Sequence, residues 1–280
     1  MAYTAEISRT NPSCFIFLID QSGSMSDQFS SINRAKSEAV ADAVNNLLQQ
    51  LVIKCAKSEG VRDYYYVGVI GYGDRGATPA FSGALGNKEL VPISEIANNP
   101  ARIEERTKKV PDGAGGLVDM TIKFPIWFDP KASGGTPMKE AFKKAQSMLV
   151  SWLEQHQSCF PPVVIHITDG ESTDGDPSSE MESIKNMSSI DGNIILFNVH
   201  ASAKSSSPVS FCGRSTPLPD QYAEMLFRGA SVLPDFMKSV ARQDYSLNLP
   251  EDARAFVLNG DATIIITAID IGTRPSNLLR

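Results

Sequence analysis

Five oxygen-bearing side chains occur at three separated points of the sequence, in a pattern that suits a metal site. They are Asp20, Ser22, Ser24, Thr136 and Asp169. The first three alternate with other residues directly after an apolar run, the fourth follows two glycines, and the fifth closes a second apolar run. Because ligands of open α/β sheets bind beyond the carboxyl ends of the strands, this pattern predicts that all five side chains project into one crevice.

The chemistry of these side chains favours a hard divalent cation. Mg²⁺ prefers six oxygen ligands at about 2.0–2.1 Å and usually keeps several of them as water. Mn²⁺ suits the same oxygen donors, whereas Zn²⁺ usually recruits histidine or cysteine. We therefore expect Mg²⁺ at this site, with Mn²⁺ as a substitute, and we expect no other cofactor and no catalytic residue.

The spacing of apolar residues predicts the elements that position this cluster. Continuous apolar runs predict buried strands, at 14–19, 64–70, 163–168 and 193–200. Apolar residues at helical spacing predict helices, at about 31–57, 138–152, 220–228 and 234–242. The alternation of strands and helices favours an α/β fold in which a mostly parallel sheet is covered on both faces.

Residues 74–136 are rich in glycine and proline and have a less regular pattern. Within them we predict a helix over 100–109. The alternating residues 120–128 predict a strand, and Pro125 favours an edge position for it. This strand indicates an inserted hairpin in the segment of about 110–133.

The organisation of the chain points to a single domain. No internal repeat or long linker interrupts the sequence. We therefore predict one domain over residues 1–280, with a core over about 12–242 and a C-terminal extension over 243–280.

The spaced oxygen donors resemble a known motif. The aspartate and serines of residues 20–24, followed by Thr136 and Asp169, are similar to the metal-ion-dependent adhesion site of von Willebrand factor A domains. The flanking Gly-Gly-Thr-Pro at 134–137 and Ile-Thr-Asp-Gly at 167–170 match the habits of that family too. The resemblance covers most of the chain.

This resemblance implies a Rossmann-like fold and a division of roles among the ligands. The implied fold is three-layered and doubly wound, with a mostly parallel six-stranded sheet that has one antiparallel edge strand. Ser22, Ser24 and Thr136 would bind the metal directly or nearly so, whereas Asp20 and Asp169 would act through water.

The charge of such a site predicts what it binds. Neutral hydroxyls offset none of the charge of the cation, so the ion remains a strong Lewis acid with an open position. An Asp or Glu of another protein is the natural ligand there. We therefore expect a metal-dependent protein-interaction module, an adaptor or scaffold. The resemblance extends at a distance to cytoplasmic bacterial proteins of the tellurium-resistance type, which implies a stress-response or defence system.

Two alternatives use the same site differently. A metal-dependent hydrolase of phosphate esters would need a general base, for which Asp74, Glu171 and His200 are the candidates. A regulatory partner of an AAA ATPase is the third hypothesis. The sequence contains no P-loop, no G-x-S-x-G and no H-E-x-x-H motif, which weakens an enzymatic interpretation.

Composition limits the partners and the compartment. The 26 basic and 32 acidic residues give a net charge of −6, which disfavours binding to nucleic acid. No run approaches the eighteen or more apolar residues of a membrane helix, so we expect no membrane association. The four cysteines are scattered without a C-x-x-C pair. We therefore expect a reduced, cytoplasmic protein.

Overall fold

The computed structural model describes residues 3–28, 34–111, 116–201 and 208–259, together with residues 264, 267, 270 and 271. The helices in these ranges are α1 Lys36–Cys55, α2 Ile93–Asn98, α3 Met138–Gln155, α4 Ser178–Asn186, α5 Gln221–Gly229 and α6 Asp235–Tyr245. The strands are β1 Ser13–Asp20, β2 Ala56–Lys57, β3 Gly60–Val61, β4 Tyr65–Gly73, β5 Gly76–Pro79, β6 Val91–Pro92, β7 Arg102–Pro111, β8 Leu117–Ile126, β9 Val163–Thr168, β10 Ser188–Ser189, β11 Gly192–Asn193, β12 Ile195–His200, β13 Val209–Ser210 and β14 Phe256–Leu258. None of the described helices is long and apolar enough to cross a membrane.

The predicted mixed α/β fold with a mostly parallel central sheet is confirmed. The strands of the main sheet run in the order β13-β14-β12-β9-β1-β4-β5, and β6 also pairs with β4. The five strands from β14 to β4 are parallel to one another. The strands β13, β5 and β6 are antiparallel.

The central strand β1 explains where the core lies. All eight of its residues are buried, as expected of a strand with apolar residues on both faces. Phe15 and Phe17 belong to an apolar cluster that includes residues of α1, α2 and α6. Ile16 and Leu18 belong to a second cluster, which includes residues of α3, α4 and α5. The side chains on the two faces of β1 therefore pack into two different apolar cores.

The register of the sheet places two predicted site residues at the same edge. Strand β1 ends at Asp20, and its parallel neighbour β9 ends at Thr168, directly before Asp169. Ile19 of β1 is level with Ile167 of β9. Because both strands run in the same direction, the two carboxylates leave the sheet together.

The predicted helix over 100–109 is wrong. Residues of this segment form β7, which pairs with β8 over ten residues to make a separate two-stranded sheet. The inserted hairpin therefore begins at Arg102 rather than near 110, and residues 112–115 of the predicted insertion lie outside the described residues. Arg102 and Arg106 both bind Glu104, which is two residues from each. These contacts form because residues two apart share a face of a strand. The prediction failed because a charged, exposed strand lacks the apolar pattern that would distinguish it from a helix.

Two further expectations need correction. The main sheet has eight strands rather than six, and three of them are antiparallel rather than one. The strand β14 lies beyond residue 242, where we placed the end of the core, and is parallel to β12 in the main sheet. Its three residues are too few to show a periodic pattern.

The helix predicted over 31–57 is α1, which begins at Lys36; residues 31–33 lie outside the described part of the chain.

A histidine is fully buried inside the sheet. His166 of β9 binds the Tyr72 hydroxyl through Nε2 at 2.7 Å and Asn198 Oδ1 through Nδ1 at 2.9 Å. Because Asn198 Oδ1 only accepts, the Nδ1 of His166 donates and its Nε2 accepts. Burial lowers the pKa of His166 to about 4, while the hydrogen bond that its ring donates to Asn198 opposes the shift and the charge of His200 adds to it. The neutral ring thus completes a satisfied polar network in the core.

This network predicts a pH dependence of stability. Because the pKa of His166 is lower in the folded chain than its ordinary 6.5, its contribution to stability is present above pH 6.5. That contribution is lost as the pH falls towards 4. We expect the free energy of unfolding to depend on pH less steeply in His166→Gln than in the wild type, by up to about 1.4 kcal/mol per pH unit in this window. Urea unfolding between pH 4 and 7 measures both slopes, and parallel slopes would contradict the assignment.

Candidate metal site

Two loops at the carboxyl edge of the sheet are joined through their backbones. The Gly23 N–H donates to the Gly134 carbonyl at 3.0 Å, and the Ser133 N–H donates to the Gln21 carbonyl at 2.7 Å. Gly134 has a φ of +80°, a conformation that favours glycine. A Cβ at Gly134 would lie 2.5 Å from the backbone N of Asp74. The loop after β1 and the loop before α3 therefore have a fixed relative position.

The first loop carries three of the predicted oxygen donors, and one of them, Ser24, contacts Asp169. The Ser22 N–H donates to Asp20 Oδ1 at 2.8 Å, which turns the chain directly after β1. The hydroxyls of Ser22 and Ser24 are 3.1 Å apart, and the Ser24 hydroxyl donates to Asp169 Oδ1 at 2.7 Å. Ser24 is exposed and the other three are buried. The donors thus form a chain that reaches the surface at Ser24.

Thr136, the remaining predicted residue, borders the same space. Its N–H donates to Thr173 Oγ1 at 2.9 Å, and its carbonyl accepts from the Thr173 N–H at 2.9 Å. A Cβ added to Gly170 would lie 3.7 Å from Ser24 Oγ and 3.8 Å from Thr136 Oγ1. The two hydroxyls therefore face a common gap beside Gly170. The structure brings all five sequence-predicted residues to one place.

Burial controls the electrostatics of Asp20. The residue is 1% exposed, and this burial raises the pKa of its carboxyl group. Hydrogen bonds from Thr168 and Ser22 oppose the shift, and the nearby charge of Asp169 adds to it. The Thr168 hydroxyl donates to Asp20 Oδ2 at 2.6 Å, so both oxygens of Asp20 accept a hydrogen bond from the protein. The carboxylate is thereby held in one orientation.

A buried lysine completes the site, and sequence reasoning missed it. Lys36 Nζ lies 2.8 Å from Asp169 Oδ2, and the exposed fractions of the two side chains are 3% and 0%. Lys36 is the first residue of α1, and Val40 and Leu47 continue the buried face that it begins. A lysine on an otherwise apolar helical stripe was the signal that could have identified it.

Two other acidic side chains, in the loop after Asp169, have structural contacts instead. Asp174 accepts from the N–H groups of Lys139 and Glu140, at 3.0 and 2.8 Å, and so caps α3. Burial raises the pKa of Asp174, but the hydrogen bonds that it accepts have the larger effect, so its pKa lies below its usual value. Asp176 accepts from the Ser178 N–H at 2.9 Å, at the start of α4. Both carboxylates thus stabilise helix N-termini.

The three candidate general bases lie around the same edge in different settings. Asp74 is exposed in the two-residue turn that joins β4 to β5. Glu171 is exposed in the loop after Asp169. His200 ends β12, level with Thr168, and is 4% exposed.

The types of oxygen donor at this site suit a hard dication. Among the described residues there is no group of three or more His, Cys, Asp or Glu side chains that could hold a metal ion. Two carboxylates with three hydroxyls around an open gap suit an ion that retains water, as Mg²⁺ does. The Ser24 and Thr136 hydroxyls, which lie 3.7 and 3.8 Å from one point beside Gly170, are the two that would face such an ion.

Comparisons with known proteins add distant similarities. No known family and no curated protein matches the sequence. A crystal structure of the pilus adhesin SpaC from Lactobacillus rhamnosus GG is similar at 14% identity and a TM-score of 0.49, over 96% of this chain and 30% of that one. The vWF domain of the type V pili tip protein Mfa5 from Porphyromonas gingivalis is similar at 14% identity and a TM-score of 0.34, over 58% of this chain and 39% of that one.

A third similar structure is the pilus adhesin RrgA from Streptococcus pneumoniae, at 17% identity and a TM-score of 0.30. The match covers 60% of this chain and 22% of that one. The chain therefore spans less than half the length of each of these structures. At such identities and TM-scores the similarity does not establish a family for the chain.

Proposed function

We propose that this protein is a metal-dependent interaction module that binds an acidic residue of a partner protein through Mg²⁺. Ser22, Ser24 and Thr136 would hold the ion, and Asp20 and Asp169 would balance its charge. The observation that carries the proposal is the contact of Ser24 Oγ with both Ser22 Oγ and Asp169 Oδ1, at 3.1 and 2.7 Å. Ser24 is exposed, so a ligand from outside reaches this point.

The electrostatics of the donor set supports binding to an acid. A bound ion would supply a Lewis-acidic position for a carboxylate oxygen. The protein would orient that position through Asp20, whose two oxygens are engaged by Ser22 and Thr168. Because the hydroxyl donors are neutral, the ion would keep most of its positive charge towards solvent.

We infer a binding rather than a hydrolytic role. The loop carboxylates Asp174 and Asp176 are used to cap helices, which leaves Asp74, Glu171 and His200 as candidate general bases. Phosphate-ester hydrolysis therefore remains the alternative to test. Mg²⁺-supported turnover of p-nitrophenyl phosphate that is lost in Asp169→Asn would favour the hydrolase, and no turnover would favour the binder.

The cysteines support a reducing, cytoplasmic location as part of this proposal. Cys14, Cys55, Cys159 and Cys212 are all buried free thiols. Burial raises the pKa of each thiol, which keeps it in the unreactive protonated form. A stress-response or defence role beside other bacterial proteins is the cellular setting that we propose.

Acetate is the simplest probe of the proposed interaction. With Mn²⁺ bound, water held by the ion enhances the relaxation of bulk water protons. We expect acetate to displace this water and to reduce the enhancement saturably, and we expect EDTA to abolish the effect. The control is Ser172→Ala, which removes a hydroxyl that binds Asp174 rather than the site. An enhancement that acetate leaves unchanged would contradict the proposed carboxylate binding.

Gly170→Ala tests the gap itself. The added methyl would make ordinary contacts of 3.7 and 3.8 Å with the Ser24 and Thr136 hydroxyls, so we expect the free energy of unfolding to change by less than about 0.5 kcal/mol. Because the methyl fills part of the gap, we expect Mg²⁺ affinity to fall by about ten- to a hundredfold, as for other changes beside metal ligands. Calorimetry and urea unfolding measure the two effects, and unchanged affinity would place the ion elsewhere.

A further inference from the structure

The burial of Lys36 sets it apart from other lysines. Its side chain is 3% exposed where it meets Asp169. The other lysines with ion pairs in the described ranges are 15–45% exposed. Removing an ammonium group from water costs several kcal/mol unless a close partner compensates. The contact with Asp169 therefore provides the compensation that this buried ammonium group needs.

The loop that carries the oxygen donors also positions this lysine. The Lys36 N–H donates to the carbonyl of Asp27 at 2.9 Å, and Asp27 directly follows the 3₁₀ helix that contains Ser24. The ammonium group of Lys36 donates to Asp169 Oδ2 at 2.8 Å, while Asp169 Oδ1 accepts from the Ser24 hydroxyl. The lysine thus contacts the oxygen of Asp169 that the hydroxyl chain leaves free.

We propose that Lys36 supplies a positive charge to this site, which lowers the affinity of the site for Mg²⁺ and raises the affinity of the loaded site for an acid. The proposal rests on the function proposed above. Asp20, Asp169 and Lys36 together carry a formal charge of −1. A dication brings the sum to +1, and one acidic ligand then brings it to zero. Without the lysine the loaded site would be neutral, and an acid would leave it at −1.

The two effects have opposite signs, which makes the proposal testable. Lys36→Met removes the charge at similar length, and Lys36→Gln keeps a hydrogen-bond donor without the charge. We expect the Kd for Mg²⁺ to fall by roughly tenfold in both variants. A unit charge interacts half as strongly with acetate as with a dication at equal distance, so we expect the acetate Kd of the Mn²⁺-loaded site to rise by roughly threefold.

Lys238→Met is the matched control, because Lys238 pairs with Asp235 and the Glu251 carbonyl in another part of the chain. Calorimetry with Mg²⁺ and water-proton relaxation with Mn²⁺ and acetate are measured on all four proteins. Opposite shifts in both Lys36 variants, absent from Lys238→Met, would support the proposal. Unchanged or weaker Mg²⁺ binding, or unchanged or tighter acetate binding, would overturn it.

The controls separate this proposal from the one on which it rests. If the wild type takes up no Mg²⁺, the metal site itself is wrong; if it does and the variants match it, only the role of Lys36 is wrong. A variant that is unfolded in EDTA should regain the wild-type circular dichroism spectrum when Mg²⁺ is added. Failure to regain it would also count against the lysine as a substitute for metal charge.

Discussion

Asp169→Leu is expected to lower the free energy of unfolding in EDTA by about 3–5 kcal/mol, because it leaves the ammonium group of Lys36 buried without its partner. The pair is 2.8 Å apart and almost fully removed from solvent. The same change should weaken Mg²⁺ binding by about a hundredfold or more, since it removes one of the two carboxylates. Urea unfolding and Mg²⁺ calorimetry measure these two losses.

The double variant Lys36→Met/Asp169→Leu is the control for this prediction. Replacing both members of a buried ion pair with apolar side chains of similar size is often close to neutral. We therefore expect the double variant to regain most of the lost stability but only part of the lost metal affinity, the part that the positive charge of Lys36 had opposed. If the two single changes add in the double variant, the pair is not coupled as described.

Gly134→Ala is expected to destabilise the fold by about 3 kcal/mol and to disrupt the metal site at the same time. Its φ of +80° is strained for alanine. The new Cβ would also lie 2.5 Å from backbone atoms of Asp74, so one of the two loops must move. Because the Gly134 carbonyl binds the Gly23 N–H, that movement would separate Thr136 from Ser24.

Gly175→Ala is the matched control for the strain alone. Gly175 has a φ of +107°, and a Cβ there would meet nothing within 4 Å. We expect this variant to lose only about 1 kcal/mol of stability and to keep its Mg²⁺ affinity. Equal losses of stability and of affinity in the two variants would show that the loop contact at Gly134 does not position the site.

The elements and contacts that could be predicted from the sequence have strong local patterns. The run at 14–19, which becomes part of β1, is apolar throughout, so its burial followed from the sequence pattern alone. The carboxyl ends of β1 and β9 then meet because parallel neighbours share an edge. The proximity of Ser24 and Asp169, which are 145 residues apart in the chain, could therefore be predicted from the sequence.

The parts that were missed depend on contacts between distant residues. The strand β7 is charged and exposed, and only its pairing with β8 distinguishes it from a helix. The strand β14 has three residues and belongs to the sheet through its pairing with β12. Lys36 looked like an ordinary helical lysine, since its partner Asp169 is 133 residues away.

Calorimetric titration of the chelator-stripped protein with Mg²⁺ is the most direct test of the proposed site. We predict saturable uptake of one ion per chain, which Ser24→Ala weakens, because Ser24 Oγ joins Ser22 to Asp169. A wild-type protein that takes up neither Mg²⁺ nor Mn²⁺ would contradict the metal-dependent function, and so would uptake that is unaffected in Ser24→Ala.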